Sequence, residues 1–150
     1  DEQYKTGKLF MMENHRIKFW GVRGSFPTPD RDKIEVGGHS SCVEVRTADN
    51  ELIVFDMGTG FIPLGNALIK EENPPKSAHV FISHFHWDHI IGYLGFAPFF
   101  HEWFTCNIYG KKDKLSIFLH SSILGQFKRI PSIISIFDHF ITLIVMTKDY

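Results

Sequence analysis

The stretch VFISHFHWDHIIG, residues 80–92, sets three histidines and an aspartate within six positions, directly after an apolar run. In extended backbone, residues two apart face the same way, so His84 and His86 can turn two imidazoles into one space. A turn at Trp87 would bring Asp88 and His89 in from the side. Imidazole nitrogen and carboxylate oxygen are ligands that divalent ions such as zinc favour, and these four groups exceed what one catalytic ion with an open position requires. The pattern points to two adjacent metal ions. Solvated loop histidines, or core histidines bonded to backbone carbonyls, account for any one of these residues taken singly but not for four of them together.

The surrounding elements must supply a rigid base for such ligands. RIKFWG, SCVEVRT, ELIVFD and HVFIS read as strands, with Asp49 and Asn50 turning between the second and third and NPPKS bounding the fourth. FIPLGNALIKEE places Phe61, Leu64 and Leu68 on one helical face, and a helix there would cover the sheet. An aromatic-rich segment follows the histidines over residues 93–104, then a strand at TCNIYG and a helix over about residues 112–124. This order predicts a mixed, hairpin-rich sheet layered with helices, an α/β architecture in one domain over residues 1–150. The run YLGFAPFFHEWF invites a base-stacking role. A chain with 15 Phe must bury most of them, however, and core packing is the expectation for this run.

Acidic and basic side chains number 17 and 16, so no global positive field is available to hold nucleic acid, and any such substrate must be gripped locally. Cys42 and Cys106 fit no CxxC pattern and give neither a disulfide framework nor a thiolate metal site; a reducing, cytoplasmic setting is the expectation. The opening DEQYKTGKLFMMENHR lacks the apolar core of a secretory signal. Residues 130–146 are strongly apolar but contain Pro131, Asp138 and His139 and fall short of the ~20 residues of a membrane span. They read as a buried strand or helix, and no membrane partner is expected.

HFHWDH matches the HxHxDH signature of the metallo-beta-lactamase superfamily. GVRGSFPTPDR, SSCVEV and LIVFDMGTG resemble the N-terminal half of its phosphodiesterase branch, which includes tRNase Z and cyclic phosphodiesterases. The resemblance is carried by residues 18–110, and the family-like region ends at about Phe127. It implies an αββα sandwich, truncated here to roughly its first half, with two divalent metal ions at the sheet edge, zinc first and manganese or iron as alternatives. By the motif His84 and His86 ligate one ion, and Asp88 and His89 the other; Asp88 is also the catalytic candidate, steering a metal-activated water. Asp56 corresponds to an upstream aspartate that stands behind the ligand loop and fixes a histidine ring; otherwise it is a turn residue before Gly58 and Gly60. The loop GVRGSFPTP offers backbone amides, Ser25 and Arg23 to a substrate phosphate, or is a rigid turn shaped by Pro27 and Pro29. His39 stands where relatives often carry Asn, and a loop or core role is expected for it.

The implied reaction is hydrolysis of a phosphodiester, of a cyclic nucleotide or RNA, by a metal-activated water. Two other readings stand beside it: a thioester or lactam hydrolase built on the same ligand loop, and a truncated, non-catalytic binding or interaction module. The family's second half supplies a third histidine, a bridging aspartate and a final histidine. None of His101, His120 and His139 stands in a matching context, so the ligand set is expected to be incomplete, whether the chain is a fragment, a natural truncation or a half-domain. The expectation is a poor catalyst alone, completed by a homo-oligomeric partner or a complementing half-domain.

Overall fold

The structure, a computed structural model, describes residues 9–12, 15–33, 35–111 and 141–146. Among these, seven strands form one sheet in sequence order: β1 (Leu9–Met12), β2 (His15–Gly21), β3 (Cys42–Arg46), β4 (Leu52–Phe55), β5 (Ser77–Phe81), β6 (Thr105–Lys111) and β7 (Ile141–Met146). Pairings from β1 to β4 are antiparallel and those from β4 to β7 parallel. The change of direction follows from the connections. The β3–β4 hairpin closes through the Asn50 N–H to the Thr47 carbonyl (3.1 Å), with Asn50 at φ 65°, a left-handed position that asparagine tolerates. After β4 the chain instead crosses through α1 (Phe61–Leu68) and returns parallel.

Period-two patterning decides which face is covered. Cys42, Leu52, Val54, Ala78, Val80, Cys106 and Ile108 point one way and are fully buried beneath Phe61, Leu64 and Leu68 of α1. Pro63 falls in the first turn of α1, where its missing N–H costs nothing. The helix stops at Leu68, short of the FIPLGNALIKEE stretch, because Lys70 and Glu71 already turn back on Ala67 and Leu68. Tyr93, Phe96, Phe99 and Phe104 complete this core, so the aromatic run packs inward, although Leu94 and Phe100 face solvent. Phe96 stacks on Phe61 at 3.8 Å between centroids, and Gly65 leaves the room: a Cβ there would stand 2.7 Å from the Phe96 ring. Each such fully buried side chain contributes about 1.5–3 kcal/mol.

The opposite face carries a ladder of in-register rings, Phe55–Phe81–Tyr109, with centroids 5.8 and 4.5 Å apart. His79 Nδ1 lies 2.7 Å from the Tyr109 hydroxyl on the same face. The described residues thus make one helix-covered sheet of the two that the sandwich expectation requires. Both cysteines are free and buried, and burial pushes their thiols well above the ordinary range, which makes them inert core residues. No helix among the described residues is long and apolar enough to cross a membrane. The helix expected over residues 112–124, together with His120 and His139, lies outside the described residues. Of the apolar run 130–146, Ile141–Met146 is strand, paired parallel to β6.

Charged residues also enter the helix-covered face. Glu44 and Arg46 alternate with Val43 and Val45 on β3 and are buried. The Arg46 guanidinium donates to Glu44 Oε1 at 2.9 and 3.1 Å, to Glu71 at 3.1 and 3.2 Å and to Asn50 at 2.7 Å, while Trp20 Nε1–H donates to Glu44 Oε2 at 2.7 Å. A buried carboxylate robbed of one donor is penalised at about the worth of a charged hydrogen bond. Trp20→Phe should therefore lower stability by about 1.5–3 kcal/mol, read as a shift of the urea midpoint at unchanged slope. An unshifted midpoint would show that water replaces the indole.

Candidate metal centre

β5 lies between two parallel neighbours, and its carboxyl end opens into the histidine loop. Ile82 N–H still bonds to the Tyr109 carbonyl (2.9 Å), after which residues 83–86 leave the sheet. His86, extended at φ −73° and ψ 151°, leads into the single turn α2 (Trp87–Ile90). The extended stretch puts two alternate imidazoles on one side, and the turn swings the next two groups in beside them. His84 Nε2 faces His86 Nδ1 at 3.1 Å, His89 Nε2 faces Asp88 Oδ2 at 3.3 Å, and the His84 and His89 rings adjoin at 4.0 Å between centroids.

Those separations test the fit to metal. Two nitrogen or oxygen donors on one tetrahedral zinc, each at its usual bond length of roughly 2.0–2.2 Å, stand roughly 3.3 Å apart. Both pairs meet that spacing, in the pairing that the motif implies. No three His, Cys, Asp or Glu side chains among the described residues form a ready-made metal-holding group, so each pair supplies two donors and no third. His101, the remaining described candidate, is exposed and sets its ring beside Trp103.

Asp56 lies where the resemblance implies, behind this loop. It is buried, at φ 62°, a strained position that aspartate accepts more readily than most residues. Its Oδ1 takes the Ser83 N–H and hydroxyl, both at 2.8 Å, and its Oδ2 takes the Ser41 hydroxyl at 3.2 Å. Oδ2 also lies 2.7 Å from His89 Nδ1. A carboxylate only accepts, so Nδ1 donates in this contact, which turns Nε2 toward the Asp88 side. Asp56→Asn keeps the shape but loses the charge, and metal affinity should fall about 10–100-fold, measured by competition with a chromogenic chelator; unchanged affinity would count against this role.

Asp88 is fixed from the other side. The Ser25 N–H, 63 positions away in sequence, donates to Asp88 Oδ2 at 2.9 Å, with Ser25 itself at φ 64°. Burial would raise the Asp88 pKa, but the Ser25 amide, its own N–H, His89 and His86 outweigh that and hold the carboxyl below its ordinary value. The Ser25 amide is thus engaged with the Asp88 carboxylate. Arg23 Nε donates to the Gly37 carbonyl at 3.1 Å, tying the same loop down. His39 is half-buried, 3.2 Å from the Thr59 hydroxyl, and burial lowers its pKa.

Ser83 is the residue that sequence reasoning passed over. Its hydroxyl reaches both oxygens of Asp56 (2.8 and 2.9 Å), His84 Nδ1 (3.1 Å) and His89 Nδ1 (3.4 Å). The only signal was a small hydroxyl between a strand and the first histidine. Backbone bonds complete the assembly: Met57 N–H to the His89 carbonyl (2.7 Å), Gly92 N–H to the Met57 carbonyl (2.8 Å) and Gly58 N–H to the Ser41 carbonyl (2.8 Å). In front lies an open cleft of about 390 Å³ lined by Ile82, Ser83, His84, Phe85, His86 and Lys111.

The chain is 31% identical over 128 residues to ribonuclease Z of Picrophilus torridus, covering 83% of this chain and 35% of that protein. To ribonuclease Z of Pyrococcus horikoshii it is 35% identical over 106 residues, 68% of this chain and 28% of that protein. The chain spans about a third of the length of these curated relatives. A crystal structure of a diphosphatase from the PhnP family shares the fold at TM-score 0.57 and 16% identity, covering 89% of this chain and 51% of that one. Residues 36–141 match the Lactamase_B family, described as the metallo-beta-lactamase superfamily, and so reach past Phe127, where the resemblance read from sequence ends. Since that match takes in more than half of the sequence, including β3 to β6 and the whole histidine loop, the chain belongs to the metallo-beta-lactamase superfamily.

Proposed function

We propose that this chain carries the metal-ligand loop of a metal-dependent phosphodiesterase acting on an RNA-type or cyclic-nucleotide phosphodiester. The observation that carries the reading is the pair of donor pairs, 3.1 and 3.3 Å apart, held side by side with Asp56 bonded to the ring of His89. The similarity to ribonuclease Z proteins favours a phosphodiester over a thioester or lactam.

Two divalent ions, when bound, supply an activated water at neutral pH and neutralise charge on the phosphoryl oxygens. His84 Nε2 and His86 Nδ1 would hold one, and His89 Nε2 and Asp88 the other. Asp56, bonded to His89 Nδ1, would orient the ring so that Nε2 faces the ion. Asp88, kept ionised and oriented by the Ser25 amide, accepts a hydrogen bond from the attacking water and sets its direction. Arg23, anchored to Gly37, keeps a positive charge in the adjoining loop for the substrate phosphate. The donors beyond these two pairs come from outside the described residues, from a second half-domain or a second copy.

The test is metal per chain by atomic emission, with turnover of bis(p-nitrophenyl) phosphate, a thioester and a lactam measured with added zinc and manganese. Weak, metal-dependent diester hydrolysis that exceeds turnover of the other two is expected. Faster thioester or lactam turnover would overturn the phosphodiester assignment, and retained metal with no hydrolysis would favour the binding-module reading.

A further inference from the structure

Two aromatic rings flank the metal loop without joining the core. Trp87 is 73% exposed and Phe26 76% exposed, more than any other large apolar side chain among the described residues. They sit one residue to either side of a single hydrogen bond: Phe26 follows Ser25, Trp87 precedes Asp88, and the Ser25 N–H meets Asp88 Oδ2 at 2.9 Å. Both residues therefore flank the proposed ligand set, each one position from a partner in that bond.

Neither is presented by loose backbone. Trp87 opens α2 between two ligand residues. The loop bearing Phe26 is pinned by Val22 and Arg23 N–H to the His39 carbonyl (both 3.0 Å), by Phe26 N–H to the Gly24 carbonyl (2.8 Å) and by Thr28 N–H to the Gly38 carbonyl (2.9 Å). Exposing large rings on a fixed scaffold forgoes burial that most other aromatics among the described residues obtain at least in part. Two cations belong to the same segments: Arg23 precedes Phe26 by three residues, and Lys111 lines the cleft together with His84 and His86. Exposed rings interleaved with cations suit single-stranded nucleic acid, whose bases stack while its phosphates meet the charges.

We infer that Phe26 and Trp87 form a stacking platform for the nucleobases that flank the reacting phosphate of a single-stranded RNA substrate. This inference rests on the phosphodiesterase reading and adds the substrate class and the residues that grip it. The run over residues 93–104, whose rings mostly pack inward as expected, takes no part in it.

The test compares the metal-loaded 150-residue chain with Trp87→Ala, Phe26→Ala and Trp87→Phe, using fluorescence anisotropy with a 2′-O-methyl hexanucleotide and the same backbone lacking bases. Each alanine variant should bind the base-bearing strand roughly 5- to 150-fold more weakly, bind the abasic strand unchanged, and keep its metal content, while Trp87→Phe recovers most of the loss. Equal weakening on both strands, or none on the base-bearing one, overturns the platform. So does a light-scattering result in which Phe26→Ala turns a dimer into a monomer, which would make the patch a protein interface. Wild-type diester turnover separates the two levels: turnover with no stacking preference sinks this inference alone, and absence of metal-dependent turnover sinks the parent reading.

Discussion

Replacing His86 by alanine is expected to reduce metal affinity by more than about 100-fold, beyond the range of losses seen when a supporting residue such as Asp56 is changed. The reason is geometric. His86 Nδ1 and His84 Nε2 are one donor pair, 3.1 Å apart, and removing one leaves a lone imidazole on an exposed loop. A single neutral nitrogen neither fixes coordination geometry nor offsets the cost of stripping water from a divalent ion. Diester hydrolysis should fall in parallel. His15, exposed at the start of β2, is the control, and its replacement should alter neither quantity. The measurement is metal per chain after dialysis against a weak chelator, beside bis(p-nitrophenyl) phosphate turnover; equal effects from the two substitutions would remove His86 from the ligand set.

Gly92→Ala should be the most damaging single methyl added to the metal loop. A Cβ there would stand 1.9 Å from the Gly58 carbonyl oxygen, 2.7 Å from its carbon and 2.9 Å from the Met57 oxygen. All three atoms belong to backbone, so no side-chain rotation relieves the contact. The loop must move away from the turn at Met57–Gly58, which breaks the Gly92–Met57 bond and strains the Met57–His89 bond that registers His89 against Asp56. Overpacking that forces backbone to shift costs about 3 kcal/mol or more. Urea unfolding should show that loss, and chelator competition a weakened metal affinity besides. Gly24→Ala supplies the contrast, because a Cβ at Gly24 meets nothing within 4 Å and little change is expected. Matching midpoints for the two variants would mean that the loop is not clamped as described.

Local features of this chain were readable in its sequence because they depend on neighbours along the backbone. The alternation in CVEVR and SAHVF, the Asp49–Asn50 turn and the one-faced spacing of Phe61, Leu64 and Leu68 each reproduce in β3, β5, the hairpin and α1. The same holds for His84, His86, Asp88 and His89: an extended stretch followed by one helical turn pairs them whatever surrounds them. Asp56 was found through family resemblance rather than from spacing, since nothing local marks a carboxylate before a glycine as anything but a turn.

What only the tertiary structure decided are contacts between residues far apart in the chain. Ser25 was read as a group for substrate phosphate or as part of a rigid turn, and neither reading contained the bond of its amide to Asp88 across 63 positions. Ser83 became a hub only because Asp56, His84 and His89 converge on its hydroxyl. Trp20 and Arg46 look like ordinary strand residues until the buried Glu44 lies between them. Phe26 and Trp87, two aromatics among many, are set apart by where the fold leaves them exposed. A sequence specifies backbone periodicity over a few residues, and ligand spacing with it. Which distant donor satisfies a buried carboxylate, and which ring is left to solvent, depends on how the β3, β4 and β5 loops meet at one end of the sheet, a placement fixed by packing over the whole core rather than by any local run of residues.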